Sequence, residues 1–161
     1  MSYATISNGG VPLYSQTCLV YTALHESAPY EQGGPTVVSS APIDVREYDA
    51  IAKTVQYYID GAKSGRGDDM KPAFHADAAI FGYHDGALFA GPMQQLFDYV
   101  DEDRPATELQ ARIASIDIIN TIAAVRLQLY NWNGHRYTDI FTLLKVEGAW
   151  KIMNKVFHQH P

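Results

Sequence analysis

The chain has a single cysteine, Cys18, among 161 residues, so it can form no internal disulfide and no zinc site built from thiolates. Positive charge is scarce too: 12 Lys and Arg stand against 18 Asp and Glu, a net charge of −6. A nucleic-acid surface needs a basic patch, and none is present. No run of Lys or Arg is available to hold an anionic membrane. No apolar stretch approaches the roughly 20 residues of a membrane helix, and the first residues lack the basic and apolar blocks of a secretory leader. These absences predict a cytoplasmic protein with no nucleic-acid and no membrane partner. Phosphate-binding glycine loops are also lacking, as is a G-x-S-x-G elbow. No cofactor and no metal is expected: His158 and His160 are two apart, as strand ligands would be, but no wider spacing supports a metal site.

Residues 1–43 hold no Lys or Arg and are rich in Gly, Pro, Ser and Thr. Pro12, Pro29, Pro35 and Pro42 exclude a long helix there. This stretch reads as an N-terminal arm that covers its own subunit or crosses to a partner, the crossing arm being the preferred reading. Residues 44–161 read as one folded domain.

The most legible stretch of that domain runs from Asn133 to His158, two long strands closed at Glu147-Gly148 and tied to the preceding strand by Asn133-Gly134. Asn-Gly between alternating apolar runs is a strong hairpin signal, because both residues tolerate positive φ. Ahead of it, Asp44 opens a helix in which Glu47 is placed to complete a capping box. Val45, Tyr48, Ile51, Val55, Tyr58, Ile59 and Ala62 share one face of that helix, and Gly65 is among the glycines that stop it. A short second helix, from about Asp69 to Phe74, leads into a strand over 78–83. Asp85-Gly86 turns it back, Gly91-Pro92 primes a third helix, and long strands follow over 108–119 and 122–132. In the strand after Asn133, Tyr137, Asp139, Phe141 and Leu143 lie on one face, and Thr138, Ile140, Thr142 and Leu144 on the other. Both faces carry apolar bulk, so both must be covered. The helices cover one; a second copy of the sheet is the simplest cover for the other, and a homodimer is expected.

This order of elements resembles the nuclear transport factor 2-like superfamily, an α+β, cystatin-like cone with three N-terminal helices packed on a curved, mostly antiparallel sheet. The resemblance covers 44–158. It is carried by Phe74-His-Ala-Asp-Ala78, Phe81-Gly-Tyr-His-Asp-Gly86, Arg136-Tyr-Thr-Asp139 and Leu144 to His158, and the local match is to the lumazine-binding, SnoaL-like branch. It implies a pocket at the wide end of the cone, lined from the first helix, the first strand and the long strands. Tyr58 is similar to the first-helix tyrosine that donates to a developing oxyanion in the ketosteroid isomerases. Those enzymes carry a carboxylate base within the first strand, whereas 78–83 holds none and His84 and Asp85 follow at the turn.

The candidate catalytic residues are therefore Tyr58, His75, His84 and Asp139. His75 and His84 can exchange protons near neutral pH, although a helix-end cap for His75 and a solvent-facing turn for His84 are the plainer alternatives. Asp139, in mid-strand among apolar neighbours, must be paired or protonated. Lys155, His158 or an Arg136 across a dimer contact are its expected partners, and an ion pair that merely holds the structure is the competing reading. Phe81, Phe97, Asn154 and Phe157 are the candidate substrate-binding residues, with Asn154 placed to orient a carbonyl. Lys155 reads either as an anion clamp or as an edge lysine. Together these residues predict a cofactor-free enzyme that moves protons on a small apolar or aromatic carbonyl compound. The alternatives are a non-catalytic small-molecule binder of the same fold and a closed dimerisation module.

Overall fold

A computed structural model describes residues 44–161. The arm expected over 1–43, with Cys18, lies outside the described residues.

Helix α1 (Val45–Ser64) starts at Asp44, whose side chain accepts from the backbone N–H of Arg46 rather than of Glu47. The expected capping box does not form. Glu47 instead turns to the sheet, where its carboxylate accepts from Lys145 Nζ at 2.6 Å and Trp150 Nε1 at 2.7 Å. Two donors to a carboxylate outweigh one local backbone bond, because hydrogen bonds to ionised groups are the stronger class. The buried face of α1 runs from Ile51 to Ala62, while Val45 and Tyr48 stay exposed. Gly65 ends the helix at φ 66°, a left-handed cap that glycine adopts without strain. Then come α2 (Gly67–Met70), a 3₁₀ turn at Lys71–Ala73, and, later, α3 (Gln94–Glu102). Among the described residues no helix is long and apolar enough to cross a membrane.

The strands are β1 (Phe74–His84), β2 (Ala87–Pro92), β3 (Gln110–Ile119), β4 (Ile122–Trp132), β5 (His135–Val146) and β6 (Ala149–His160). They form one six-stranded sheet in the order β2-β1-β6-β5-β4-β3. Every neighbouring pair is antiparallel except β1 with β6. The architecture is the expected α+β arrangement of helices on a mostly antiparallel sheet. The turns fall at the expected residues: Asp85, Asn120, Asn133 and Glu147 all take positive φ.

The inner face of the sheet packs against the helices through Val125, Leu127, Leu129, Phe141, Leu143, Trp150 and Ile152, all buried. Each such side chain contributes about 1.5–3 kcal/mol on burial. One irregularity in β6 governs the site. Ile152 pairs with Leu143, yet Asn154 pairs with Thr142, so Met153 is an extra residue in the strand. A β-bulge of this kind re-aims the residues beyond it. Before the bulge, Trp150 and Ile152 face inward; after it, Lys155 and Phe157 do, opposite Phe141 and Asp139 respectively.

Candidate active site

Tyr58, from the third quarter of α1, points into the cone and is fully buried. Its hydroxyl donates to Asp139 Oδ2 at 2.7 Å. The other carboxylate oxygen, Oδ1, accepts from Lys155 Nζ at 3.0 Å. Asp139 is 0% exposed and Lys155 4%. The ion pair anticipated for Asp139 thus forms with Lys155, inside one subunit, and a phenol completes it. The cluster is ringed by aromatic groups. Phe141 and Trp132 lie 5.3 and 5.8 Å from the Tyr58 ring, and Lys155 Nζ stands 4.4 Å from the Phe157 ring centroid.

This enclosure shapes the acid–base chemistry. Burial, then the charge of Asp139, pushes the Tyr58 phenol well above its ordinary range. Burial pulls the Lys155 ammonium below its usual value, against the opposing pull of Asp139. The proton inventory is asymmetric. Tyr58 has one hydroxyl hydrogen, already committed to Asp139, whereas a lysine ammonium has three N–H donors and Lys155 spends one on Asp139.

A cavity of about 40 Å³ opens beside this cluster. Its apolar wall is Ile80, Phe89, Leu96, Trp132 and Phe157, and its polar groups are Tyr58, Lys155, His84, Tyr99 and Tyr137. Asp139 is not part of the wall; it sits behind Tyr58 and Lys155. Across the cavity, Tyr137 Oη lies 3.2 Å from His84 Nδ1 and the two rings stack at 18°. Burial drives the Tyr137 hydroxyl well above its ordinary range. A space of this size fits water or a ligand of few atoms, so a larger ligand needs the side chains that line it to move.

Tyr58, His84 and Phe157 thus lie on the cavity wall, and Asp139 directly behind it. The other candidates lie elsewhere. His75 is inside β1, half-buried, with Nδ1 accepting from the Asp77 backbone N–H at 3.2 Å. Phe97 is core, edge-on to Phe74 with ring centroids 5.6 Å apart. Phe81 is on the outer face and 43% exposed; its strand neighbour Ile80 takes the inward place. Asn154 is paired with Thr142 and Ala79 on the outward side of the bulge. In place of Asn154, the bulge brings Lys155 to the cavity, and no residue pattern announces that shift. Tyr137 was within reach of sequence reasoning, since alternation from Asp139 puts it on the same face.

Residues 46–158 match the family model described as "Putative lumazine-binding". The chain is 33% identical over 116 residues to aldolase FrzH from Cladobotryum sp., a match that covers 71% of this chain and 93% of that protein. Among solved structures, an NTF2-like protein of unknown function from Shewanella baltica OS155 is 44% identical with a TM-score of 0.70, covering 73% of this chain and 96% of the other. A second NTF2-like protein of unknown function, from Methylobacillus flagellatus KT, is 42% identical with a TM-score of 0.73, covering 74% and 97%.

Proposed function

This chain belongs to the putative lumazine-binding family of NTF2-like proteins, and from that premise we propose that it is a cofactor-free enzyme moving protons at the carbon next to a carbonyl, on a small apolar or aromatic ketone or aldehyde. The observation that carries the reading is the Tyr58–Asp139–Lys155 cluster at the wall of a cavity that is otherwise mostly aromatic. A buried ion pair is costly to keep, and hydrophobic replacements are often as stable; a cluster at a cavity wall has a use that one inside packed core lacks. Lys155 offers spare N–H donors to a carbonyl oxygen as charge builds on it. Tyr137 and His84 supply a second proton-exchanging pair facing the same space. The aldolase relative supports this reading, since an aldol reaction starts with loss of a proton next to a carbonyl.

The test is hydrogen–deuterium exchange at the α-carbon of small ketones and aldehydes, followed by proton NMR in heavy water. The protein should accelerate exchange, and Asp139→Asn or Lys155→Met should lower the rate about 100-fold or more, the scale of a lost general acid or base. Acceleration that survives both changes would place the chemistry elsewhere.

A binding protein without catalysis is the second reading, favoured by one feature: the aromatic wall around a cation suits a flat heteroaromatic ligand of the lumazine type. Tight binding of such a ligand with no exchange activity decides for it. For assembly, we read the outer sheet face as the seat of a second copy. Phe81, Val156 and Ile140 pair across it in one exposed row.

A further inference from the structure

Lys155 carries more than a proton relay requires. Of the lysines among the described residues it is the one that is buried; Lys53, Lys63 and Lys71 are exposed, and Lys145 and Lys151 half-buried. As an ammonium it has three N–H donors, and among the described residues one hydrogen-bond acceptor, Asp139 Oδ1, lies within reach. Its remaining surroundings are ring faces, Phe157 at 4.4 Å and Tyr58 at 5.6 Å. Desolvation disfavours the charged amine there, while the ring faces and Asp139 favour it. Burial already draws its proton affinity down. The proton it would release has an adjacent acceptor, Asp139, which Tyr58 holds in place from the other side. Once that proton has passed to Asp139, a desolvated lysine at a cavity wall is a nucleophile toward carbonyl carbon.

We propose that Lys155 is the covalent catalyst of this site, forming an imine with a ketone or aldehyde that bears an α-hydrogen while Asp139 stores and returns the proton. The proposal rests on the carbonyl reading of the cavity given above. Lys155 passes one proton to Asp139, and its lone pair attacks the carbonyl carbon. The carbonyl oxygen takes a proton from the attacking nitrogen to become a hydroxyl, and that hydroxyl leaves as water with the proton held by Asp139. The result is a protonated imine and a carboxylate again. Ketone plus ammonium give iminium plus water with no net change in protons, and Asp139 is left as the counter-ion. The iminium then draws the electron pair of the α-C–H bond toward nitrogen, and that proton goes to an imidazole nitrogen of His84, on the Tyr137 side of the cavity. Once the lining side chains have moved to admit a second carbonyl molecule, the enamine attacks its carbonyl carbon, and the oxygen formed takes the proton back from His84. Water hydrolyses the new iminium, restoring Lys155 and releasing a β-hydroxy carbonyl product.

The experiment is reductive trapping. The full chain is incubated with acetone, cyclohexanone or phenylacetaldehyde and treated with sodium borohydride, and the labelled sites are mapped by peptide mass spectrometry. The expected result is stoichiometric alkylation of Lys155 by at least one probe, at concentrations that leave the exposed Lys53 and Lys63 largely unmodified. Lys155→Arg, which retains the cation beside Asp139, should fold with an unchanged far-ultraviolet spectrum and lose the adduct. If Lys155 stays unlabelled under conditions that label Lys53 and Lys63, the covalent role is overturned. Should α-exchange of the same probes still be accelerated, the proton-transfer reading stands without it; should exchange be absent as well, both fall.

Discussion

Tyr58 and Asp139, 81 positions apart in the chain, are joined by a 2.7 Å hydrogen bond that pins the first helix to β5. Removing the phenol oxygen therefore acts on the fold and on the site together. Tyr58→Phe leaves a buried carboxylate with Lys155 as its remaining side-chain partner among the described residues. We expect a stability loss of about 1–3 kcal/mol, read from urea unfolding midpoints.

The ion pair itself calls for a double-mutant cycle. Lys155→Met alone strands a buried carboxylate and should cost about 3–5 kcal/mol. Asp139→Asn alone leaves the ammonium without its counter-charge. Combining the two removes both charges, so the double variant should be less destabilised than the sum of the singles, by an amount that denaturant titrations of all four proteins measure. Strict additivity would mean that the pair is not coupled.

A second carboxylate controls behaviour in acid. Glu47 holds Lys145 and Trp150, and these bonds keep its carboxyl below the ordinary value of 4.5. A carboxyl lowered by folding contributes stability above its unfolded pKa and loses it as pH falls through the folded one. The gap in melting temperature between wild type and Glu47→Gln should therefore be full at neutral pH and close as the pH drops below about 4.5. A gap that stays constant down to the most acidic point would assign the effect to packing of Trp150.

Gly82 and Phe157 make a steric prediction. They are paired across β1 and β6, and a Cβ built on Gly82 would lie 2.4 Å from Phe157 Cδ1. Gly82→Ala must push that ring toward its neighbours Phe89 and Tyr137, whose centroids lie 6.2 and 6.1 Å away. Overpacking of this kind costs about 1–3 kcal/mol. Because Phe157 also covers Lys155, the variant should bind carbonyl ligands more weakly, as calorimetry would register.

On the outer face, Ile140→Glu together with Val156→Lys should convert a dimer to monomers in sedimentation equilibrium without altering the helix signal. A wild type that already sediments as a monomer removes the dimer reading.

Legibility in the sequence tracks how local each signal is. The turns at Asp85, Asn133 and Glu147 depend on residues that accept positive φ, and all three adopt it. The inward face of β5 depends on strict alternation, so Tyr137, Asp139 and Phe141 could be grouped from the sequence. Signals that depend on tertiary competition were hidden. Glu47 fits a local capping box, yet two distant donors claim it. Phe81 is the more conspicuous aromatic beside Ile80, but the register of β1 against β6 sends it outward. Asn154 shares parity with Trp150 and Ile152, and regular alternation would have carried it to the cavity; the extra residue ends that parity one position earlier.

That extra residue has a consequence for how the strand tolerates length changes. β6 is read in two frames, Trp150 and Ile152 in the first, Lys155 and Phe157 in the second, and Met153 is the frameshift between them. Deleting Met153 merges the frames: Ile152 stays inward, Asn154 outward and Lys155 inward, each opposite the partner it already has, now along a regular ladder. Ironing the bulge flat at constant length does the opposite. Met153 would then take the place opposite Thr142 and Asn154 the place opposite Phe141, which turns the amine of Lys155 out into solvent. A one-residue deletion in the middle of the last long strand should thus be milder for the site than substitutions that straighten the strand without shortening it.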